Sequence, residues 1–285
     1  MNNIEIKNVS KKYDGFLLDK ISFDVPAGSI VGLIGENGAG KTTTIKSILN
    51  IIKSEGTVKI FNKDINQNEK EIKQNIGVVL DDSFLSTYLT PKYINSVMKE
   101  FYKNWDEEKY NKLLKQFGLP SDKLIKDFSS GMKMKLKIAT AISHNPKLLI
   151  LDEPTSGLDP VVRNEVLDLF LEFIQDEQHT ILFSTHITSD LEHISDYIIF
   201  LDQGQIILEE ERDVLQNEYG ILKCGLKEFE QVDPKDYLYY KKGKYQCEML
   251  VKEKNKIQKK YKSMVIDPIT LEELMILTIK GVKSC

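Results

Sequence analysis

Short, unbroken runs of apolar residues recur along this chain of 285 residues. The runs at residues 30–34, 76–80, 148–151 and 180–184 are too short for helices and carry many branched side chains, which is typical of buried strands in a parallel sheet. Two further runs, at residues 198–201 and 205–208, flank the turn sequence Asp202-Gln203-Gly204 and predict a hairpin-like pair. The pattern predicts an α/β core.

The first part of the chain has a different periodicity. Apolar and polar residues alternate cleanly around Ile21, Phe23 and Val25 and less regularly around Ile4, Ile6 and Val9. Alternation with a period of two is typical of strands that bury one face. We therefore expect an antiparallel strand region over residues 1–34, with residues 56–61 as another short strand.

Between residues 84 and 126, apolar residues recur at helical spacing, which predicts core packing on helices. Thr90-Pro91 is a helix start signal, since proline is favoured at the first helical position. Residues 133–142 form a further helical run. We expect a helical subdomain over about residues 84–142 whose core includes Tyr93, Ile94, Val97, Phe101, Tyr110, Leu113, Leu114 and Phe117.

The composition is that of an ordinary globular protein, with 41% hydrophobic residues, 29% charged residues and a formal net charge of -4. This charge gives no sign of a polyanion-binding protein, so we expect no nucleic-acid partner. No apolar run approaches the roughly 18 residues of a membrane-spanning helix, and the first residues lack the apolar segment of a signal peptide. A cytoplasmic location is expected. Cys224, Cys247 and Cys285 are unclustered, which argues against a zinc site.

Residues 35–42, GENGAGKT, match the P-loop pattern G-x-x-x-x-G-K-[ST] between a predicted strand and the start of a helix. The glycines at 35, 38 and 40 let the backbone turn tightly, so that its N–H groups form a nest for phosphate oxygens. Lys41 would reach the β- and γ-phosphates, and the Thr42 hydroxyl would ligate Mg²⁺. A glycine-rich turn without a ligand is the alternative, and it explains the strand–loop–helix context poorly.

Polar residues directly follow several predicted core strands. Asp152 and Glu153 follow LLIL, Asp81-Asp82 follow the strand at 76–80, and His186 follows the strand at 180–184. Ligands of parallel sheets bind at the carboxyl ends of the strands. We therefore expect Asp152 to hold Mg²⁺ through water and Glu153 to polarise an attacking water. Asp81 could meet the same metal ion, whereas a solvated turn explains Asp82 better.

Two further candidates also have simple structural explanations. Ser129-Ser130-Gly131 precedes a predicted helix, where free N–H groups could meet an anion, but a serine N-cap explains this sequence better. Tyr13 could stack on a nucleotide base, although an isolated tyrosine more often serves packing.

Taken together and in this order, the motifs resemble the ATP-binding cassette (ABC) ATPases over about residues 2–210. The P-loop is GENGAGKTT, the strand with its acidic pair is LLILDEP, and SGLD is similar to the family's D-loop. FSSGM stands where the family has its LSGGQ signature, STH matches the switch histidine, and Tyr13 matches the adenine-stacking aromatic residue. The resemblance implies an α/β fold of the P-loop NTPase ABC cassette type, with a RecA-like parallel-sheet core, an antiparallel β subdomain and a helical subdomain.

The resemblance also implies a mechanism in which two cassettes pack head to tail and enclose two ATP molecules with Mg²⁺. Glu153 would act on the lytic water and His186 would bridge to the γ-phosphate. The metal ion would be held by Thr42, Asp152 and Asp81. The residues implied in nucleotide binding are Tyr13, Gly35, Asn37, Gly38, Gly40, Lys41, Thr42, Thr43, Asp81, Asp159 and, from the opposite subunit, Ser129 and Gly131.

Two positions depart from the family pattern. Asp81 stands where the family usually has a glutamine that touches Mg²⁺ and communicates with the transport partner, so a shorter, charged side chain takes over that position. The signature FSSGM has serine in place of the first glycine and methionine in place of glutamine. Ser129 and Gly131 are retained, so we expect ATP binding to survive.

Residues 211–285 lie beyond the cassette and predict a small α/β appendage. Residues 237–240, 245–251 and 265–266 have strand character, and residues 270–280 predict a helix with Thr270 as its N-cap. Ten lysines stand against three acidic residues over positions 234–262. This excess could favour an anionic membrane surface, but a solvated face is the simpler explanation. The arrangement resembles the bacitracin, lantibiotic and phenol-soluble modulin exporter ATPases of Gram-positive bacteria.

The leading hypothesis is therefore an ATP-binding and ATP-hydrolysing subunit of a bacterial ABC exporter for a peptide or an amphipathic or antimicrobial compound, peripheral on the cytoplasmic face of the membrane. A separate transmembrane permease would supply the pathway and contact residues 84–101, and a second ATPase subunit, identical or different, would complete the ATP sites. Two alternatives stay open: a soluble non-transport ABC ATPase, and a regulatory ATP sensor with little turnover.

Overall fold

The computed structural model describes residues 1–80 and 86–284. Its strands are β1 (Asn2–Tyr13), β2 (Phe16–Pro26), β3 (Ile30–Ile34), β4 (Glu55–Ile60), β5 (Lys63–Asp64), β6 (Ile76–Val79), β7 (Leu148–Asp152), β8 (Thr180–Thr185), β9 (Tyr197–Asp202), β10 (Gln205–Glu211), β11 (Gly220–Gly225), β12 (Tyr239–Lys242), β13 (Gln246–Val251), β14 (Val265–Pro268) and β15 (Val282–Lys283). Its helices are α1 (Lys41–Ile48), α2 (Ile65–Lys73), α3 (Pro91–Phe101), α4 (Glu107–Gln116), α5 (Ser130–Ile142), α6 (Pro160–Phe173), α7 (Thr188–Ile194), α8 (Arg212–Glu218), α9 (Leu226–Phe229), α10 (Lys254–Lys260) and α11 (Leu271–Lys280), with 3-10 turns at Ile125–Asp127 and Pro234–Asp236.

A six-stranded sheet in the order β10-β9-β3-β8-β7-β6 forms the centre of the molecule. The last five of these strands run parallel, and β10 pairs antiparallel with β9. Every residue of β3, β7 and β8 is buried, as expected for strands covered on both faces. The predicted α/β core with a parallel sheet is confirmed, and the loops at its carboxyl edge hold the polar residues of interest.

A four-stranded antiparallel sheet in the order β2-β1-β4-β5 packs beside this core. The pairing of β1 with β2 shifts register after Ile6 and again after Val9, and these irregularities account for the imperfect alternation of apolar residues in β1. Residues 30–34 do not belong to this region, because β3 pairs in parallel with β8 and β9. The antiparallel region expected over residues 1–34 therefore ends with β2.

The helices α3, α4 and α5 follow β6. Thr90 caps α3 by accepting a hydrogen bond from the backbone N–H of Tyr93, with proline at the next position as predicted. Ile94 is buried, but Tyr93 and Phe101, which helical spacing assigned to the core, are 57% and 70% exposed. The apolar residues of α3 extend beyond the face that it buries. Tyr93 lies about 100° around the helix from Ile94, whereas Phe101 is on the side of Ile94 but two turns further along, as the last residue of the helix.

The chain after β10 forms a five-stranded antiparallel sheet in the order β14-β11-β13-β12-β15. The helix α11 has the predicted N-cap: Thr270 accepts from the N–H of Glu273, whose carboxylate accepts from the N–H of Thr270. The strand predicted at residues 237–240 begins only at Tyr239, because Pro234 starts a 3-10 turn that Asp233 caps. Within this region, the elements β11, β15, α8, α9 and α10 were not predicted.

One apolar core joins the central sheet to the C-terminal region. Leu250 and Leu274 belong to the same buried cluster as Leu149 and Phe183 of the central sheet. A smaller cluster lies on the other side of the C-terminal sheet. The division into residues 1–210 and 211–285, like the helical subdomain at about 84–142, stays a prediction.

Candidate functional site

Lys41 is the first residue of α1, and the loop between β3 and α1 wraps around its side chain. Its Nζ donates hydrogen bonds to the carbonyl oxygens of Gly35 at 2.8 Å and Glu36 at 3.2 Å, and the residue is only 5% exposed. Gly40 has φ 112°, a conformation that a residue with a Cβ rarely adopts. A Cβ on Gly35 would lie 2.2 Å from the carbonyl oxygen of Leu201. The loop therefore depends on these glycines and holds a buried ammonium group.

Asp152, the last residue of β7, meets the hydroxyl group of the residue that follows Lys41. Thr42 Oγ1 donates to Asp152 Oδ2 at 2.8 Å, and Ser184 Oγ on the neighbouring strand β8 donates to Asp152 Oδ1 at 2.5 Å. Asp152 is fully buried, so these two hydroxyl groups replace the water that a carboxylate normally binds. The pair of Thr42 and Asp152 places two oxygen atoms suited to a hard cation at the edge of the sheet.

Glu153 lies between the P-loop lysine and the histidine at the end of β8. Its Oε1 is 3.2 Å from Lys41 Nζ, and its Oε2 accepts a hydrogen bond from His186 Nδ1 at 2.8 Å. Glu153 has φ 49°, a left-handed conformation that costs a non-glycine residue about 1–3 kcal/mol. Its backbone N–H donates to the carbonyl oxygen of Ser184 at 3.0 Å. Contacts on both sides therefore hold this strained residue in place.

The two carboxylate oxygens of Glu153 differ in their remaining capacity to accept hydrogen bonds. Oε2 takes the hydrogen bond from His186, whereas Oε1 is buried and accepts no hydrogen bond within residues 1–80 and 86–284. Because Oε1 makes only its ion pair with Lys41, it retains capacity to accept a hydrogen bond from another molecule. This property is the one required of a carboxylate that orients water.

His186 presents its other ring nitrogen to a cavity. Its side chain is 40% exposed, and because Nδ1 is used on Glu153, Nε2 is the atom available for contact. The cavity has a volume of about 710 Å³ and is bordered by the P-loop residues Glu36 and Asn37, by the start of α7 and by one face of α11. The P-loop, Glu153 and His186 thus converge at the carboxyl ends of β3, β7 and β8, where parallel sheets bind ligands.

Comparison with known proteins agrees with this arrangement. Residues 18–156 match the ABC transporter family. The chain is 34% identical over 210 residues to the bacitracin transport ATP-binding protein BcrA of Enterococcus faecalis, covering 72% of this chain and 68% of BcrA. It is 35% identical over 222 residues to the lantibiotic transport ATP-binding protein SrtF of Streptococcus pyogenes, covering 75% of this chain and 93% of SrtF. The chain belongs to the ABC transporter ATP-binding proteins.

A solved ATP-binding subunit of an ABC transporter shares the fold, with a TM-score of 0.66, 29% identity, and coverage of 75% of this chain and 91% of the other. The predicted ABC cassette fold is thereby confirmed. ABC ATPases bind ATP and hydrolyse it to power transport, so the chain is an ATPase. In the part of the chain that the structure describes, no helix is long and apolar enough to cross a membrane.

The predicted adenine-stacking residue of this ABC ATPase, Tyr13, ends β1 and is 43% exposed. It pairs across the β1–β2 turn with Phe16, and a Cβ on Gly40 would lie only 2.9 Å from the tip of the Phe16 ring. The hairpin turn therefore lies over the P-loop. Lys11 Nζ lies over the Tyr13 ring, 5.4 Å from its centre.

The predicted signature residues of this ABC ATPase lie at the start of α5. Ser129 caps α5 by accepting a hydrogen bond from the backbone N–H of Met132 at 3.2 Å, so the predicted serine N-cap is present. A Cβ on Gly131 would lie 3.5 Å from Val162, near the start of α6, where Asp159 Oδ1 accepts from two backbone N–H groups. No hydrogen bond or ion pair between described residues joins Ser129 or Asp159 to the group around Lys41.

The remaining predicted residues fall into two groups. Asn37 and Gly38 lie in the P-loop, where Gly38 has φ 88°, and Thr43 lies in the first turn of α1. Asp81, which follows β6 closely, lies outside the described residues, and so does Asp82.

Sequence reasoning missed Ser184, which shares Asp152 with Thr42. Ser184 lies opposite Asp152 in the parallel pairing of β7 with β8. A polar residue within an otherwise apolar run was the available signal, but its meaning depends on knowing that these two strands are neighbours. The sequence around His186 showed where β8 ends, but it did not show that β8 pairs with β7.

Proposed function

We propose that the chain is the ATP-hydrolysing subunit of a bacterial exporter that moves a peptide, or an amphipathic or antimicrobial compound, through a separate membrane permease. The observation that carries this proposal is the meeting of two P-loop side chains with two carboxylates: Thr42 contacts Asp152, and Lys41 contacts Glu153. Phosphoryl transfer needs such positioning of a cation, a metal site and a water-orienting group, with little covalent chemistry by the protein.

In binding, the P-loop N–H groups and Lys41 would hold the phosphates. Lys41 would give up its hydrogen bonds to the carbonyl groups of Gly35 and Glu36 in exchange for phosphate oxygens. The new hydrogen bonds from Lys41 to phosphate would be stronger than those to the carbonyl groups, because both the ammonium group and the phosphate carry charge. The exposed surface of Tyr13 would receive the adenine ring, as the turn that carries it lies over Gly40.

In hydrolysis, Glu153 would accept a hydrogen bond from water through Oε1, the oxygen that has spare acceptor capacity. The water oxygen would form a bond to the γ-phosphorus, a proton of the water would pass to Glu153, and the bond from that phosphorus to the bridging oxygen of ADP would break, which leaves ADP and inorganic phosphate. His186 would hold Glu153 through Nδ1 and direct Nε2 toward the γ-phosphate. A proton on Nε2 would make this nitrogen a donor to the phosphate oxygens, with both ring nitrogens then protonated.

The residues present fit a magnesium ion. Thr42 and Asp152 offer a hydroxyl and a carboxylate oxygen in direct contact, which matches the few protein oxygens that Mg²⁺ takes beside substrate phosphates and water. When bound, the ion would neutralise charge on the phosphates. Asp152 and Thr42 would orient it, Ser184 would keep Asp152 fixed, and we propose Asp81 as a further ligand.

A second ATPase subunit would complete each site. Ser129 and Asp159 are exposed, and no hydrogen bond or ion pair among the described residues joins them to the P-loop, so we propose that they contact nucleotide bound to another cassette. We propose that Ser129 and Gly131 of one subunit reach the phosphates held by the other. Binding of ATP would then stabilise the dimer.

The proposed cargo rests on similarity to BcrA, a bacitracin transport protein, and to SrtF, a lantibiotic transport protein. Both are transport proteins, and no observation favours a soluble ABC ATPase or an ATP sensor. We propose that the chain lies peripherally on the cytoplasmic face of the membrane, with the region of α3 against the permease. The exposed rings of Tyr93 and Phe101 on α3 would suit such a contact.

The test combines two measurements on the tagged, full chain. The first is steady ATP hydrolysis with Mg²⁺ and its loss in Glu153→Gln. The second is recovery of partners from native membranes, identified by mass spectrometry. We expect hydrolysis and a partner with several membrane spans. Absence of hydrolysis would favour the sensor, and recovery of only soluble partners would contradict the transporter.

A further inference from the structure

Behind the site, a buried carboxylate joins three segments of the chain. Asp190, on α7, is 1% exposed. Its Oδ2 accepts from Thr155 Oγ1 at 2.6 Å, and its Oδ1 accepts from Arg163 Nε on α6 at 2.5 Å. Arg163 Nη2 also donates to Ser189 Oγ at 2.7 Å, which adds a second contact between α6 and α7. The mechanism described above uses none of these residues.

The two segments that Asp190 joins are those that carry the proposed catalytic pair. Thr155, itself fully buried, lies two residues after Glu153, and α7 begins two residues after His186. Asp190 therefore ties the backbone behind Glu153 to the helix behind His186. Glu153 and His186 are also joined directly, by the contact of 2.8 Å between their side chains.

An ion pair on a buried carboxylate, here Asp190 with the partly exposed Arg163, is suited to fixing geometry. Removing a carboxylate from water is costly, and the cost is offset only when hydrogen bonds satisfy both of its oxygens, as Thr155 and Arg163 do here. The guanidinium group is planar and its donors are fixed in direction, so the pair tolerates little rotation. Glu153 has a strained backbone conformation, which persists only where the surroundings hold it.

We propose that Asp190 is a positioning residue for ATP hydrolysis: through Thr155 and Arg163, it keeps Glu153 and His186 in mutual alignment. The inference rests on the proposed function, because it assumes the roles given there to Glu153 and His186. Asp190 touches neither nucleotide nor water in this scheme. Its effect is on the rate, since small misplacements of reacting groups lower rates strongly while leaving binding contacts in place.

The main test is Thr155→Val, which removes the hydroxyl that joins Asp190 to the loop of Glu153 and leaves the ion pair with Arg163 in place. We expect kcat to fall by about 10- to 100-fold, with the affinity for a non-hydrolysable ATP analogue unchanged. Thr140→Val is the matched control, since Thr140 is also a buried threonine whose hydroxyl donates a hydrogen bond, to Leu136 on α5. The control should keep the kcat of the original protein.

A double variant separates positioning from general stability. In a His186→Ala background the pair that Thr155 aligns is already broken, so adding Thr155→Val should lower kcat by less than twofold. A merely structural role would lower kcat by the same factor in both backgrounds and would overturn the proposal. Asp190→Asn provides a second variant, in which the shape is kept and the charge is removed, and it should follow the same pattern.

The outcome for Glu153→Gln distinguishes a failure of the proposed catalytic role of Glu153 from a failure of the proposed positioning role of Asp190. If Glu153→Gln hydrolyses ATP at the original rate, the catalytic assignment in the proposed function fails. If Glu153→Gln is inactive while Thr155→Val and Asp190→Asn both keep the original kcat, only the positioning role of Asp190 is overturned.

Discussion

Oε2 of Glu153 lies 2.8 Å from Nδ1 of His186, at the carboxyl ends of the neighbouring strands β7 and β8. The other oxygen of the same carboxylate lies 3.2 Å from Lys41 Nζ. One carboxylate thus joins the cation of the P-loop to an imidazole ring that borders the cavity. Substitutions at Glu153 and Lys41 should therefore have separable effects, the first on hydrolysis and the second on binding.

Glu153→Gln should abolish most hydrolysis while keeping ATP binding. An amide cannot accept a proton from the attacking water, and loss of a general base typically costs about 10²- to 10⁴-fold in rate. Because ATP would stay intact, the variant should accumulate as an ATP-bound dimer. Hydrolysis assays check the first effect, and light scattering, which measures mass in solution, checks the second.

The control for this variant is Glu100→Gln, an exposed position on α3, which should hydrolyse ATP at the original rate. A Glu153→Gln protein that stays monomeric at high concentrations of ATP and protein would count against the proposed sandwich of two subunits.

Lys41→Ala should remove nucleotide binding. The change deletes a charge-assisted hydrogen bond to phosphate, worth about 1.5–3 kcal/mol, and it also leaves Glu153 without its cation. The affinity for ATP, measured by calorimetry, should fall by at least tenfold. Lys59→Ala, at an exposed position on β4, is the matched control. Unchanged ATP affinity in Lys41→Ala would make the P-loop assignment wrong.

The P-loop could be predicted from the sequence, because its residues are consecutive and its glycines are needed for the tight backbone conformation of the loop. The strand-end position of Asp152 was also predictable, since an apolar run stops at that residue. Ser184 was not predictable, because its contact with Asp152 requires that β8 lie beside β7. The order of strands in a sheet follows from distant pairings that no local pattern encodes.

The same limit applies to the fold. In α10 only Ile257 is buried, within a run rich in lysine, so no apolar periodicity marks the helix. In α3 the apolar pattern was clear, but it predicted burial of Tyr93 and Phe101, which the structure leaves exposed. Periodicity identifies an element, whereas the extent of its buried face depends on what packs against it.

Tyr13→Ala should weaken ATP binding without affecting recognition of the phosphates. Stacking of a base on an aromatic ring is worth about 1–3 kcal/mol, so the affinity for ATP should fall by roughly 5- to 150-fold. The affinity for inorganic triphosphate should stay the same, because the P-loop is untouched. Tyr13→Trp should retain ATP binding. An equal loss of affinity for ATP and triphosphate would show that Tyr13 supports the loop and does not stack on the base.

His144 should make the protein less stable in mild acid. The residue is 1% exposed, its Nε2 donates to the Ile76 carbonyl oxygen at 3.1 Å, and its ring stacks on Tyr102. Burial, with a smaller contribution from the charge of Lys109, lowers the pKa of His144 from 6.5 to about 4. Its Nδ1 makes no hydrogen bond among the described residues, and the nearby backbone of Thr140 offsets only part of the cost of charging the buried ring.

The sign of the effect follows from the direction of this pKa shift. Below pH 6.5 the unfolded chain takes up a proton at His144 that the folded chain does not bind until about pH 4. The stabilisation is therefore fully present above pH 6.5 and is lost as the pH falls toward 4. Between pH 7 and pH 5 this residue alone should lower the free energy of unfolding by about 2 kcal/mol.

The measurement is urea unfolding at a series of pH values for the original protein and for His144→Gln. Glutamine does not titrate in this range, and its amide can still donate to the carbonyl oxygen of Ile76. The variant should be less stable at pH 7 because its packing on Tyr102 is poorer, but its free energy of unfolding should fall less steeply between pH 7 and pH 5. Two curves with the same slope would show that His144 does not carry this acid sensitivity.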